Sequence, residues 1–199
     1  MFNPAIESGA QIRGVPNYKV GRYYYPEGVT IATSGLTAPG ANSLRFYKAR
    51  ILQDCTIDRL FMRVVATQAA QNVQAAVYED NTGSNSIGTL VVAGASMSTA
   101  VATGVEATIS ATLYANRFYW FGSCCDHATP TFYSQSTTGM ALGASVIGST
   151  SLGNIAAGAP FGVSFAGTMG TWPDMTGNAV VDVGTASIPL VGFRVASLL

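Results

Sequence analysis

From residue 43 onward, hydrophobic and polar positions exchange at nearly every second residue, in short runs separated by polar turns. That period places successive side chains on opposite faces of an extended strand. In residues 56–67, Leu60, Met62 and Val64 share a core-facing side with Asp58, while Ile57, Arg59, Phe61, Arg63 and Val65 share the other. In residues 73–80, Val73, Ala75, Val77 and Glu79 alternate with Gln74, Ala76, Tyr78 and Asp80. Further strands are predicted over residues 44–52, 89–93, 104–113, 118–121, 161–165 and 191–196. The four consecutive aromatics of 118–121 mark a central strand packed on both faces. Residues 69–76 are the one helix candidate, and their β-branched neighbours count against it. The pattern predicts about eight to ten short strands, hence an all-β fold: an antiparallel β-sandwich, jelly-roll-like.

Two regions break the rhythm. Residues 1–42 are punctuated by Pro4, Gly9, Gly14, Pro16, Gly21, Pro26, Gly28, Gly35, Pro39 and Gly40. They read as an extended N-terminal arm, ordered by a partner, ahead of a β-sandwich domain over 43–199. Residues 134–151 are rich in Ser, Thr and Gly and are expected to contain a long loop, and 168–178 are loop-like around Trp172-Pro173.

Composition changes the picture in one respect. Only 10% of the residues are charged, against roughly 25% in ordinary soluble domains. Just five charges lie beyond residue 106: Arg117, Asp126, Asp174, Asp182 and Arg194. Much of the surface is therefore expected to be buried against other subunits. Ten basic residues balance ten acidic ones, which argues against nucleic acid or anionic lipid as a partner. No basic and apolar leader opens the chain, and no run approaches about 18 apolar residues, so neither a secretory signal nor a membrane span is expected. Three cysteines at irregular spacing do not form a disulfide framework, and a reducing cytoplasm is the expected site of assembly.

Candidate chemistry is sparse. Cys124-Cys125-Asp126-His127 holds metal-ligand residue types, but adjacent cysteines do not have the spacing of a zinc site. His127 is the one histidine, and no nucleophile elbow accompanies it. No catalytic, cofactor-binding or metal residue is therefore assigned. Tyr23-Tyr24-Tyr25-Pro26 reads either as a sugar-stacking platform or anchoring plug, or as rings packed on the sandwich. Trp172 reads either as a glycan or partner contact in an exposed loop, or as part of a loop tucked onto the domain.

The order of three segments carries a resemblance. Thr56-Ile57-Asp58-Arg59-Leu60-Phe61-Met62-Arg63-Val64 is followed by Val77-Tyr78-Glu79-Asp80-Asn81-Thr82-Gly83, and then by Tyr119-Trp120-Phe121-Gly122. Over residues 40–125 the chain resembles the β-sandwich module of tailed-bacteriophage virion proteins, found in tail-fibre, baseplate and head-decoration appendages. It departs from that module at Ala115-Asn116-Arg117, where a Pro-Gly type of turn usually precedes the Tyr-Trp strand. The resemblance implies a non-enzymatic structural protein of the virion, assembled late in the host cytoplasm. It implies a small tail fibre, tail or baseplate component that docks on other virion proteins through residues 1–42. Self-association through the sandwich, as a homotrimer, is implied with it. The alternatives are a capsid decoration or head-fibre protein, and a carbohydrate-binding module that recognises a host-surface glycan.

Overall fold

A computed structural model describes residues 17–26, 31–37, 40–81, 86–135, 162–183 and 188–199. Thirteen strands and no helix occur among them. In chain order they are β1 (Tyr23–Tyr24), β2 (Ile31–Thr37), β3 (Ser43–Arg50), β4 (Cys55–Ala66), β5 (Asn72–Asn81), β6 (Ser86–Ala93) and β7 (Met97–Ser98). Then follow β8 (Gly104–Leu113), β9 (Phe118–Cys125), β10 (Thr131–Gln135), β11 (Gly162–Ala166), β12 (Val181–Val183) and β13 (Val191–Leu198). Residues 69 and 70 form a turn, with Ala70 in the left-handed region, and 72 onward is strand.

Two antiparallel sheets pack face to face. In sheet 1, β1, β13, β4 and β8 lie side by side, and in sheet 2, β3, β9, β5 and β6 do. The chain alternates between them: β3 in sheet 2, β4 in sheet 1, β5 and β6 in sheet 2, β8 in sheet 1, β9 in sheet 2 and β13 in sheet 1. That order is the eight-strand jelly roll. The stretch between β9 and β13 extends both sheets. From it, β10 pairs with the end of β4 and with β2, while β11 and β12 continue sheet 2 beyond β3.

The main core lies between the sheets. Leu60, Met62 and Val64 of β4 meet Val73 and Val77 of β5 and Tyr47 of β3, all buried. Tyr47 stacks on Phe121 of β9, and Phe121 stacks on Phe193 of β13, at 5.7 and 6.1 Å between ring centres. The Tyr47 hydroxyl donates to the Val191 carbonyl in the opposite sheet. Each of these side chains contributes on the order of 2 kcal/mol by leaving water, and the aromatic column fixes how the sheets face each other.

Sheet 2 is apolar on both faces, as the aromatic run in β9 predicts. Its outer side carries Leu44, Phe46, Ala76, Tyr78, Trp120 and Cys124, a second core beneath residues 167–180. Gly122 makes this closure possible. A Cβ there would lie 2.5 Å from the Phe46 ring and 3.3 Å from Trp172. Trp172 packs on Phe46 and Tyr78, and the Tyr78 hydroxyl donates to the Pro173 carbonyl at 2.8 Å.

The described part of residues 1–42 is woven into this architecture. Tyr18 is buried in the main core. Gly21 N–H donates to the Val195 carbonyl at 2.8 Å, and Val195 N–H to the Arg22 carbonyl at 3.0 Å. Residues 1–16, 27–30 and 38–39 lie outside the described residues, as do 136–161, which include most of the expected loop.

One expectation is corrected. Ile57 is not on the outer face with Arg59 but is buried with Leu60. Both ladders of β4 slip in register around Ile57 and Arg59. Such a bulge switches which side chains face inward, so strict alternation fails across it. Asp58 and Arg59 both end on the outer side, half-buried.

Candidate functional site

The outer face of sheet 1 holds the most structured exposed surface among the described residues. It is built on a glycine. Gly192 of β13 lies beneath the Phe61 ring of β4, and a Cβ at 192 would overlap that ring and crowd the Tyr24 carbonyl. Phe61 therefore lies across β13 instead of standing away from it.

Pairing of β1 with β13 sets the flanks. Tyr23 is opposite Arg194 and Tyr24 opposite Phe193. Directly paired residues point to the same face, so Tyr23 faces outward and Tyr24 inward. Tyr23 meets Phe61 edge-on at 5.4 Å, and Tyr25 meets it from the other side at 5.0 Å. The result is an aromatic row, Tyr23, Phe61, Tyr25, with Tyr23 46% exposed.

Charged groups lock the row. The Tyr23 hydroxyl donates to Glu106 Oε2 at 2.5 Å, and Arg59 Nε reaches Glu106 Oε1 at 3.3 Å. Arg194 holds Asp58 in a two-pronged pair, with Nε on Oδ1 at 2.9 Å and Nη2 on Oδ2. The Arg194 guanidinium also lies 5.8 Å from the Tyr23 ring centre. The bulge in β4 is what turns Asp58 toward Arg194. A hollow of about 310 Å³ opens between Tyr23, Phe61, Thr103, Gly104 and Glu106.

The hydrogen bonds from Arg194 hold the Asp58 carboxyl below its ordinary range. The bond to Glu106 raises the Tyr23 hydroxyl, and burial pushes Tyr25 up to about 12, with Arg63 opposing. Neither tyrosine ionises near neutral pH. The face thus presents hydrogen-bonded aromatic and guanidinium groups to solvent.

The four contact residues read from the sequence do not form one surface. Tyr23 and Tyr25 lie in this row. Tyr24 turns into the sandwich, packing on Tyr18 and Phe193, with its hydroxyl accepting from Lys19 N–H at 2.8 Å. Trp172 sits half-buried on the far side of the molecule, over sheet 2. Sequence reasoning missed Phe61, Glu106, Arg194 and Asp58 as one constellation. The glycine inside the last predicted strand is the signal that could have found it, because a strand glycine often marks close approach by another group.

Cys124 and Cys125 point to opposite faces of β9, the first into the outer core and the second into the main core. One ion could not reach both. Burial pushes the Cys55 and Cys124 thiols up to about 11, away from thiolate chemistry. His127 is exposed, with Nδ1 2.8 Å from Thr129 Oγ1. Among the described residues, no group of three or more His, Cys, Asp or Glu could hold a metal ion, and no helix is long and apolar enough to cross a membrane. No protein-family model matches this chain, and no curated protein matches it.

Proposed function

We propose that this chain is a non-enzymatic structural subunit of a bacteriophage virion: a small tail fibre, tail or baseplate component. It docks on the particle through the N-terminal part of residues 1–42 and self-associates as a trimer through its sandwich. The observation that carries the assembly reading is the outer face of sheet 1. Tyr and Arg are the residues on which interface energy concentrates, and here Tyr23, Tyr25, Arg59 and Arg194 stand pre-ordered around Phe61. A surface already rigid loses little entropy on contact. The low charge of the whole chain supports the same reading. The assignment to a virion rests on the resemblance over residues 40–125.

Two measurements test this. The full-length chain should have the mass of a trimer in solution, and Tyr23→Ala combined with Arg63→Glu should reduce it to a monomer. A wild-type chain that stays monomeric at about 100 μM overturns self-association, since even weak specific contacts register there. An antibody against the chain should label tails of phage particles released by the source strain. Label on heads selects the capsid-decoration alternative, and label absent from particles overturns the virion reading.

A further inference from the structure

The central strands of sheet 2 hold a charged pair within an otherwise apolar outer face. β9 lies between β3 and β5. Lys48 of β3 is opposite Trp120 of β9, and Trp120 is opposite Tyr78 of β5. Directly paired residues share a face, and Asp80, two positions beyond Tyr78, shares it too. Lys48 and Asp80 therefore meet across β9, from strands that are not neighbours. Lys48 Nζ lies 2.9 Å from Asp80 Oδ2, and the two side chains are only 6% and 5% exposed.

The two oxygens of Asp80 are held by different groups. Oδ2 faces the ammonium, while Oδ1 accepts from Trp120 Nε1–H at 2.9 Å. Lys48 Nζ is 5.0 Å from the Phe118 ring centre and 5.8 Å from that of Trp120, so aromatic rings take the place of solvent around it. On these three strands Arg50, opposite Phe118, is the other charged residue of the same face, and Glu79, opposite Tyr119, points to the opposite one. A guanidinium neither gives nor takes a proton near neutral pH. Proton transfer can run within the Lys48 and Asp80 pair itself.

We infer that the two side chains condense, so that an amide bond joins Lys48 Nζ to Asp80 Cγ. The ammonium first passes one proton to Oδ2, which leaves an amine beside a carboxylic acid. The nitrogen lone pair then attacks Cγ, and the carbonyl electron pair moves onto Oδ1, where the Trp120 N–H is already aimed at the developing charge. The nitrogen gives a second proton to Oδ2. The Cγ–Oδ2 bond breaks, the Cγ–Oδ1 double bond re-forms, and Oδ2 leaves as water. One N–C bond is gained and one C–O bond lost. Ammonium plus carboxylate becomes amide plus water, with nothing oxidised or reduced.

The fold supplies what this reaction lacks in solution. Holding the reactants in contact removes the entropy of their encounter, and a site that excludes water opposes the reverse hydrolysis. The ion pair alone adds little over an apolar pair of the same size. The amide instead ties β3 to β5 over β9 and closes the chain between residues 48 and 80, which restricts the unfolded state as any cross-link does. The site is separate from Tyr23, Tyr25 and Trp172 and does not depend on the assembly reading.

Intact-mass spectrometry of the full chain tests this after prolonged incubation of the folded protein at neutral pH. The denatured wild type should be lighter than its sequence by one water, allowing for removal of Met1. Trypsin should leave residues 46–50 joined to residues 64–117, because an acylated Lys48 is no longer a cleavage site. Lys48→Arg, which keeps the charge, should have its full mass. A wild type that stays at full mass overturns the proposal. So does a lost water that maps to peptides other than these two, or one that persists in Lys48→Arg, which would identify an imide at an aspartate instead. Near-ultraviolet circular dichroism shows whether Lys48→Arg has folded; if it has not, the joined wild-type peptides decide the matter on their own.

Discussion

The two outer faces of this sandwich start from the same device and end differently. Each carries a glycine on an inner strand and an aromatic ring set against it: Gly122 under Phe46 and Trp172 on sheet 2, Gly192 under Phe61 on sheet 1. On sheet 2 the chain closes the face with its own residues 167–180, making a second core. On sheet 1 no described segment closes the face in this way, and the ring is held from the sides by Tyr23 and Tyr25 and by ion pairs at the rim. A closed face stabilises the subunit that owns it. A face of ordered aromatic and guanidinium groups would contribute its energy on contact with the proposed partner copy. Substitutions on the two sides should therefore separate into stability effects and assembly effects.

The sharpest break falls on the closed side. Asp80→Ala leaves the Lys48 ammonium buried without its carboxylate and removes the acceptor of Trp120 Nε1. Urea unfolding should show a loss of about 3–5 kcal/mol. Replacing the pair together, Lys48→Met with Asp80→Leu, should cost clearly less than Asp80→Ala alone. If the double replacement proves the worse of the two, the buried pair is a net stabiliser over its apolar substitute.

Matched aromatic truncations come next. Trp172→Ala uncovers Phe46 and Tyr78 and should cost about 2–3 kcal/mol, below the range for a fully buried Trp because this one is half-buried. Phe61→Ala, on the outer face, should cost about 1 kcal/mol and abolish the proposed trimer. Equal stability losses for the two, with oligomer mass unaffected by either, would erase the distinction between the faces.

Which parts were legible in the sequence follows from what alternation records. The period-2 pattern encodes burial on one face of a single strand, so Leu60, Met62 and Val64 and the doubly buried β9 were readable before any coordinates. The same pattern cannot register a bulge, so it misplaced Ile57 and concealed that Asp58 turns toward Arg194. Nor does it record which strands are neighbours. Tyr23, Phe61, Glu106 and Arg194 come from four strands up to 171 positions apart in the chain, and only the jelly-roll order brings them together. The punctuation of residues 1–42 was real, yet tertiary context drew β1 and Tyr18 into the sheet and the core. A truncation meant to release the arm should therefore stop at residue 16, because cutting at 42 also removes β1 and β2.

The smallest effect concerns the open face alone and distinguishes its ion pairs from the buried one. Arg194 holds the Asp58 carboxyl below its ordinary range. An unfolded chain has that carboxyl near 3.9, so on acidification the unfolded state binds its proton first. Stability from the pair is thus complete above about pH 4 and is lost as pH falls through the lower folded value. Wild type should exceed Asp58→Asn in urea midpoint near neutral pH, and the gap should close in strong acid. Both side chains keep more than a quarter of their surface in water, so about 1 M salt should also shrink the gap, whereas the Lys48 and Asp80 pair should be nearly indifferent to salt. A gap that persists unchanged in acid would mean that Asn at 58 weakens the bulge itself, and that Asp58 matters there for its shape and not its charge.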